Sequence, residues 1–595
     1  MAGPCLGVAN SLSGKVWELR LDRAGDRLAE GIAQKFSLPE MTARVLAGRG
    51  IGEDQVADFL NPTLARDLPD PAILKDMERG AKRLAEAIEN KEKVAVFGDY
   101  DVDGATSSAL LARYFRSVTD VPLEVYIPDR QREGYGPNTK ALLGLKERGA
   151  SVVIAVDCGT LSFEPLAAAK KAGLDVIVAD HHKADSKLPE AFAVINPNRL
   201  DEDNTLGNLA AVGVVFLLVV ALNRELRARG WFAARAEPEL LSLLDLVALG
   251  TVADVVPLTG LNRTLVAQGL KIMARRENLG LRVLCDVARL DGPPNTYHLG
   301  FLLGPRVNAG GRVGEASMGA ALLATEDEGK AQRLALALDL YNQERREIEA
   351  EVESEALFQA EQDLAQRESP LVMVAKAGWH PGVIGIVAGR LREKFDRPAI
   401  VFSIDREGLA KGSARSLPGV DIGAAVLDAL HHKVLEAGGG HAMAAGLTVP
   451  ADQLPALREF LENKLEQAVA GARQDRRLAL DGVLSANGAT VDLASRLEQL
   501  GPYGPGFASP RFAFADLALI KSDLVGKNHV RTIFAGKDGG RIKGIAFRAA
   551  ETPLGQALLK GRGKTFHLAG RLKRDQWQGV ERVDIQIEDA AKAEL

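Results

Sequence analysis

Short, unbroken apolar runs alternate along the first half of the chain with stretches whose apolar positions recur every three or four residues. The runs are Lys93–Phe97 (KVAVF), Leu123–Ile127, Ser151–Val156 (SVVIAV) and Leu174–Ala179 (LDVIVA); Ala105–Ser117 is a helical stretch between two of them. Continuous rather than alternating apolar strands belong to a sheet covered on both faces, and alternation with helices makes that sheet parallel. Three of the runs end in polar clusters: GDYDVDG, then DCG, then DHH. The carboxyl ends of parallel strands are where open α/β sheets place ligands.

The pattern then changes. Leu209–Leu222 is an apolar run of 14 residues, short of the roughly 20 needed to cross a bilayer, so it predicts a buried core helix. Lys330–Ser369 contains neither Gly nor Pro; as one helix it would span roughly 60 Å and act as a rigid connector, the alternative being two helices joined by a turn. A second α/β unit is expected over 371–450, with strands at LVMVA and PAIVFSI and glycine-rich turns at GWHPGVIG, KGSARS and GGGHAMAAG. After a helical stretch at Leu454–Val469, short alternating strands (RTIFAG, RIKGIAF, TFHLAGRL, VDIQIE) predict a small antiparallel barrel. Residues 1–75 are punctuated by Pro and Gly and carry no concentrated chemistry.

Composition narrows the class. With 595 residues, 46% hydrophobic and 26% charged, the chain is globular and long enough for several domains. Three cysteines without a CxxC exclude a disulfide framework and a thiolate zinc site. The N-terminal stretch has no basic start followed by an apolar block, so a cytoplasmic protein without membrane attachment is expected. A net charge of −5 argues against nucleic acid, but its distribution reverses that. Between Lys521 and Arg582 there are 14 Lys/Arg and 5 Asp/Glu, a balance of +9 that leaves −14 on the rest. A basic terminal module on an acidic body points to a polyanion partner. Phe534, Phe547, Phe566 and Trp577 within it are either base-stacking platforms or the barrel core.

Asp99, Asp101 and Asp103 project to one side if the chain is extended there, and carboxylates so crowded repel unless a cation sits among them. Asp157, Asp180, His181 and His182 end the next strands, and Asp254 follows a helix in ADVV. This oxygen-rich set with one or two imidazoles suits Mg²⁺ or Mn²⁺, and holds enough carboxylates for two metals sharing one bridge. Taken singly, each has an ordinary alternative: a solvated turn, a helix N-cap, a packed histidine. Coincidence at three successive strand ends is much harder to sustain. Lys411, Ser413 and Arg415 in KGSARS suit phosphate oxygens, as do Arg306, Asn308 and Arg312 in GPRVNAGGR and the backbone of GGGH at 438–441.

GDYDVDG, VDCG, ADHH and GTVADVVPL, in this order, resemble the DHH phosphoesterase superfamily. RVNAGGR, the connector, GWHPGVIGIVAGR, GSARS, GGGHAMAAG and the terminal barrel are similar to the bacterial RecJ single-strand DNA exonucleases. The resemblance implies an α/β fold with an N-terminal segment (1–77), a DHH domain with a parallel sheet (78–325), a long connecting helix (326–369), a smaller DHH-associated α/β domain (370–475) and an OB-like β-barrel (476–595). It implies hydrolysis of single-stranded DNA from the 5′ end to 5′-mononucleotides with two Mn²⁺ or Mg²⁺ ions, in recombination and repair alongside a helicase and a single-strand binding protein. Asp101, Asp103, Asp157, His181 and Asp254 would then be metal ligands, with Asp157 bridging and Asp99 added. Asp180 and His182 would orient the site or meet the scissile phosphate. Ser413, Arg415, Arg306, Asn308 and Arg312 would hold the nucleotide and 5′-phosphate, with Lys411, His380 and His441 nearby. Where many superfamily members carry a histidine, four residues before Asp101, this chain has Phe97, which removes one imidazole from the first metal and leaves either Asp99 or water to take its place.

Three rival readings remain open on the sequence alone. A superfamily hydrolase of short oligonucleotides or pyrophosphate would not need the basic barrel. A dehalogenase-type phosphatase would use Asp101 as nucleophile and leave DHH without a task. A non-catalytic single-strand-binding scaffold would have lost the acidic cluster, which is intact here.

Overall fold

The computed structural model describes residues 3–129, 132–474, 476–577 and 580–593. The chain begins with strand β1 (Val16–Leu19) and helices α1 (Arg23–Phe36) and α2 (Glu40–Ala47). Strands β2 (Lys93–Gly98), β3 (Glu124–Tyr126), β4 (Ala150–Val156), β5 (Asp175–Ala179) and β6 (Ala193–Ile195) then form an all-parallel sheet in the order β3-β2-β4-β5-β6. Strands β2, β4, β5 and β6 are buried on both faces, as their unbroken apolar runs require, and the edge strand β3 is only half-buried. Helix α3 (Val102–Val118) follows β2 directly. The apolar run at 209–222 lies almost wholly in α4 (Ala211–Ala228), a core helix packed against α3. Helices α5 (Leu244–Ala253), α6 (Gly260–Met273) and α7 (Gly304–Val313) complete this body.

The Gly- and Pro-free stretch is one helix, α8 (Glu328–Gln366), of 39 residues. Asp327 caps it by accepting a hydrogen bond from the Lys330 N–H. It leads into β7 (Val372–Ala377), α9 (Ile384–Phe395), β8 (Ala399–Ile404), β9 (Leu409–Arg415), α10 (Ile422–His431), β10 (Ala437–His441) and β11 (Ala444–Pro450). The sheet order is β10-β11-β9-β8-β7. Here the expected glycine-rich turns are corrected: KGSAR lies in β9 and GGGH in β10, both paired to β11. The glycines serve close packing within strands. A Cβ on Gly412 would lie 2.4 Å from the Phe402 ring.

After β12 (Arg477–Leu480) and β13 (Gly482–Leu484), strands β14 (Phe512–Val525), β15 (His529–Ala535), β16 (Arg541–Ala546), β17 (Thr565–Trp577) and β18 (Val580–Lys592) pair in the order β14-β15-β16-β18-β17. A β14–β17 pairing closes the ring, giving an OB-like barrel. Phe534 and Phe566 are fully buried in its core, so the stacking role is corrected for these two, while Phe547 is exposed. The Trp577 side chain lies outside the described residues.

The N-terminal residues are structural partners of this barrel, which their sequence does not announce. Strand β1 pairs in parallel with β12, Val16 facing Arg477. Ile32, Val45 and Leu46 share one apolar core with Leu484, Phe512 and Phe534. Trp17 is fully buried and donates its Nε1–H to Asp589 at 2.9 Å. Asp481, also buried, holds the guanidinium of Arg49 through both carboxylate oxygens, at 2.6 and 3.2 Å.

Candidate metal centre and phosphate cleft

Parallel register sets the centre. Gly98 pairs with Val156 and Val156 with Ala179, so Asp99, Asp157 and Asp180 leave three neighbouring strands at one level. Each amide donates to the next strand: Asp99 to Val156 at 3.3 Å, Asp157 to Ala179 at 3.1 Å and Asp180 to Ile195 at 3.1 Å. Asp157 takes a left-handed backbone (φ 59°) that turns the chain at the sheet edge. Asp101 is the N-cap of α3, its Oδ1 accepting from the amides of Asp103 and Gly104. Asp103 enters the first turn of α3, and its two oxygens accept from Ala211 and Val212 at 2.7 and 2.8 Å, fixing the start of α4. Asp254 is the C-cap of α5.

These turns bring the donors together. Three groups have donor atoms within 4.8 Å of one another: Asp99–Asp101–Asp157, Asp103–His181–Asp254 and Asp157–His181–His182. His181 Nε2 lies 3.3 Å from Asp157, 3.7 Å from Asp254 and 3.9 Å from Asp103. Its Nδ1 lies 3.0 Å from the Leu209 carbonyl; with the proton there, Nε2 is left as a lone-pair donor. Asp157 Oδ1 and Asp254 Oδ2 are buried and accept no hydrogen bond. Burial, reinforced by the neighbouring carboxylates, pushes Asp157 well above the usual range, Asp254 up to about 9 and Asp103 up to about 7. Burial draws His181 down to about 4, with the charge of His182 adding to it. A neutral imidazole facing crowded oxygens fits hard divalent cations. Phe97 is fully buried with its ring against Tyr126, and beyond it Asp99 stands with Asp101 and Asp157 in one of the donor groups.

His182 is held differently. Its Nδ1 lies 2.8 Å from Asp180 Oδ1. Burial opposes its charge, but the bond to Asp180 wins and raises it to about 9; Asp180, for its part, stays below the usual carboxylate range despite burial. Thr160 donates to Asp180 through its amide (3.1 Å) and hydroxyl (2.6 Å), and Asn196 donates to Thr160 Oγ1 at 2.8 Å. Sequence reasoning misses these two and Tyr135. The Tyr135 hydroxyl donates to the Asp157 carbonyl at 3.1 Å and lies 3.3 Å from His182 Nδ1. Its one signal is the GYG triplet, whose glycines both have left-handed backbones.

The second α/β body faces this centre. His441, at the end of β10, is lowered by partial burial and then by the charges of Lys183 and His182. Arg415 Nη1 donates to Ser413 Oγ at 3.1 Å, and a Cβ on Gly385 would lie 2.8 Å from that hydroxyl. The pair therefore sits against the first turn of α9, where helix amides favour an anion. Lys411 is exposed on the same strand face. His380 Nδ1 accepts from the Gly382 amide at 3.0 Å, and Arg312 donates to the Gly382 carbonyl at 3.0 Å. Asn308 accepts from the Val102 amide at 3.1 Å, steadying the start of α3. Arg306 departs from its expected role: its guanidinium is bound to Asp339 of α8 (2.9 Å) and the Leu302 carbonyl (2.7 Å), so it joins α7 to the long helix instead of offering its fork to phosphate. Between the bodies, Asn308, Arg312, Arg345, Arg346, Arg390 and Arg548 line a cavity of about 570 Å³, which also takes in Glu349 and Glu353. Beside it, the exposed rings of Tyr297 and Phe301 stack at 5.2 Å.

A parallel sheet carrying metal-type donors at three adjacent strand ends, joined by a long helix to a phosphate-type pocket, defines a DHH-type phosphoesterase. The chain matches the DHH family, N-terminal domain, over residues 93–251, the DHHA1 domain over 368–467 and the RecJ OB domain over 480–589. It is 36% identical to the single-stranded-DNA-specific exonuclease RecJ of Escherichia coli, covering 93% of this chain and 96% of that one. It is 33% identical to RecJ of Bacillus subtilis, covering 97% and 71%. The crystal structure of RecJ in complex with Mn²⁺ from Thermus thermophilus superposes with a TM-score of 0.78 at 28% identity, covering 97% of this chain and 79% of that one. The chain belongs to the RecJ family of single-stranded-DNA-specific exonucleases.

Proposed function

We propose that this protein hydrolyses single-stranded DNA from the 5′ end, releasing 5′-mononucleotides with two divalent cations. The observation that carries the reading is that Asp157 belongs to the Asp99–Asp101–Asp157 donor group and lies 3.3 Å from His181 of the Asp103–His181–Asp254 group, with buried oxygens on Asp157 and Asp254 that accept no hydrogen bond. Asp99, Asp101 and Asp157 would hold one cation, and Asp103, His181, Asp254 and Asp157 the other. Mn²⁺ or Mg²⁺ bound there supplies an activated water and Lewis acidity toward the phosphoryl oxygens.

The chain's own groups do the rest. His182, kept protonated by Asp180, directs an N–H toward the scissile phosphate and offsets charge that grows on its oxygens. Ser413, Arg415 and the first turn of α9 bind the terminal 5′-phosphate. Lys411 and His441 lie along the approach. The arginine-lined cavity and the Tyr297–Phe301 pair suit the backbone and bases of the following strand. The basic barrel extends that track, which favours a long strand over a dinucleotide or pyrophosphate. The reading extends to a role in recombination and repair in the cytoplasm, alongside a helicase and a single-strand binding protein, and rests there on membership of the single-stranded-DNA-specific exonuclease family. Among the described residues no helix is long and apolar enough to cross a membrane.

The test uses single-stranded DNA labelled separately at each end, with Mn²⁺, Mg²⁺ or EDTA, beside Asp157→Ala. Immediate release of 5′-labelled mononucleotide, abolished by EDTA and by the substitution, is expected. DNA that is bound but intact under every metal condition would leave only a scaffold.

A further inference from the structure

Adjacent residues in the first turn of α6 grip two different parts of the molecule. The Asn262 side-chain amide, buried, donates to the Asn208 carbonyl (2.6 Å) and the Pro257 carbonyl (3.0 Å). The first carbonyl precedes Leu209, which orients His181; the second lies three residues beyond Asp254. Arg263, also buried, reaches the other way. It donates to the carbonyls of Leu500 (2.9 Å), Pro502 (3.4 Å) and Phe59 (3.4 Å), with Phe59 and Phe507 rings 3.7 and 5.1 Å from its guanidinium carbon. One arginine thus joins the sheet body, the N-terminal segment and the loop Gly501–Phe507 that leads into the barrel.

That loop also touches the Asp254 segment directly. The Leu258 amide donates to the Pro505 carbonyl at 2.8 Å. Gly506 has a left-handed backbone (φ 71°), and a Cβ there would lie 3.0 Å from Pro257 Cβ and 3.2 Å from Thr259 Cγ2. Thr296 adds a hydrogen bond to the Tyr503 carbonyl at 2.8 Å. Between Asp254 and this clasp stands Val255, whose left-handed backbone (φ 65°) is strained for a β-branched residue. A turn of that kind persists only where its surroundings hold it.

We infer that the Gly501–Phe507 loop, clasped through Arg263, is a positioning element for the metal donor Asp254, so that docking of the barrel sets the geometry of the catalytic centre as well as lengthening the DNA track. The inference rests on Asp254 being a metal donor. It makes Arg263 and Gly506 positioning residues that act through the Val255–Leu258 turn.

The experiment is Mn²⁺ titration of the full-length protein by calorimetry, with single-stranded DNA affinity measured separately in EDTA and melting temperature recorded for each variant. Gly506→Ala and Arg263→Lys are expected to weaken Mn²⁺ binding about tenfold, the scale of lost outer-shell support, with DNA affinity in EDTA unchanged. Thr296→Ala, a milder loosening of the same loop, should shift Mn²⁺ binding in the same direction with the fold retained. Mn²⁺ affinity unchanged in a folded Gly506→Ala or Thr296→Ala would overturn the inference, as would loss of DNA affinity alone. Asp254→Ala runs in parallel: if that substitution leaves Mn²⁺ binding intact, the metal assignment itself fails.

Discussion

His181 and His182 are neighbours in sequence with ring centroids 4.7 Å apart, yet they are driven to opposite protonation states. Buried against three carboxylates with its Nδ1 on a carbonyl, His181 stays neutral; bonded to Asp180, His182 holds its proton up to about 9. A two-residue motif thereby supplies one metal-type lone pair and one cation.

Asp180→Asn tests the second half of that division. The amide keeps the shape that Thr160 recognises but cannot sustain the imidazolium. The single-turnover rate constant should fall about a hundredfold, the low end for losing a donor aimed at developing charge, with Mn²⁺ affinity retained. An unchanged rate constant would remove His182 as a charged participant.

Asp157 is a member of the Asp99–Asp101–Asp157 group and lies 3.3 Å from His181 of the Asp103–His181–Asp254 group, a placement that suits a bridge between two cations. Asp157→Ala should therefore abolish both Mn²⁺-binding events in a calorimetric titration, whereas Asp99→Ala should affect one. Loss of a single event in Asp157→Ala would show that the carboxylate does not bridge.

Arg415 and Ser413 sit against the first turn of α9. Removing the guanidinium should cost about 1.5–3 kcal/mol of charge-assisted bonding, raising KM roughly 10- to 100-fold on 5′-phosphorylated strands. The same variant should lose little on strands bearing a 5′-hydroxyl. Equal losses on the two substrates would place the terminal phosphate elsewhere.

Asp245 lies buried in α5, and burial raises it to about 7, opposed by the amides of Leu246 and of Asp245 itself and by the charge of Arg113. The unfolded carboxyl ionises near 4. The folded state therefore holds an extra proton between those values, and this carboxyl's contribution to stability should be greatest below about pH 4, fall through about pH 7 and level off above. Asp245→Asn should flatten this part of the melting-temperature profile and be more stable than the parent at pH 8. A parent profile without a falling limb over pH 5–7 that the substitution removes would contradict the assignment.

Deleting residues 478–595 would separate strand binding from hydrolysis only if the remainder folds. Ile32, Val45 and Leu46 would lose the barrel side of their core, so the truncated chain should aggregate. A second deletion that also removes residues 1–60 should restore solubility. A soluble, cooperatively melting first truncation would show that the N-terminal helices stand alone.

The α/β body was legible because its strands are continuous apolar runs and three of them end in its chemistry, so the order of motifs along the chain is the order of donors at the sheet edge. The long helix was legible from the lack of Gly and Pro. What escaped depends on distant partners. Glycine reads as punctuation in sequence, but in β9 and β10 pairing to β11 provides the backbone bonds and leaves glycine only a packing role. Arg306 looks like a phosphate ligand until Asp339 of the long helix is placed beside it. Thr160, Asn196 and Tyr135 carry no spacing signal because they are brought to DHH by the turn of other strands. The N-terminal residues looked featureless because the strand they pair with lies some 460 positions away.

That last pairing bears on how the protein is made. The first strand to leave the ribosome finds its partner only when residues 477–480 follow, and its neighbouring helices find their core only once the barrel strands emerge. At about 5–20 residues per second, this wait is on the order of half a minute to two minutes. Throughout it, Trp17 and the apolar faces of α1 and α2 are without their final cover. An interrupted message would thus yield a chain whose beginning is still sticky, and a cell that clears such chains clears unfinished nuclease with them.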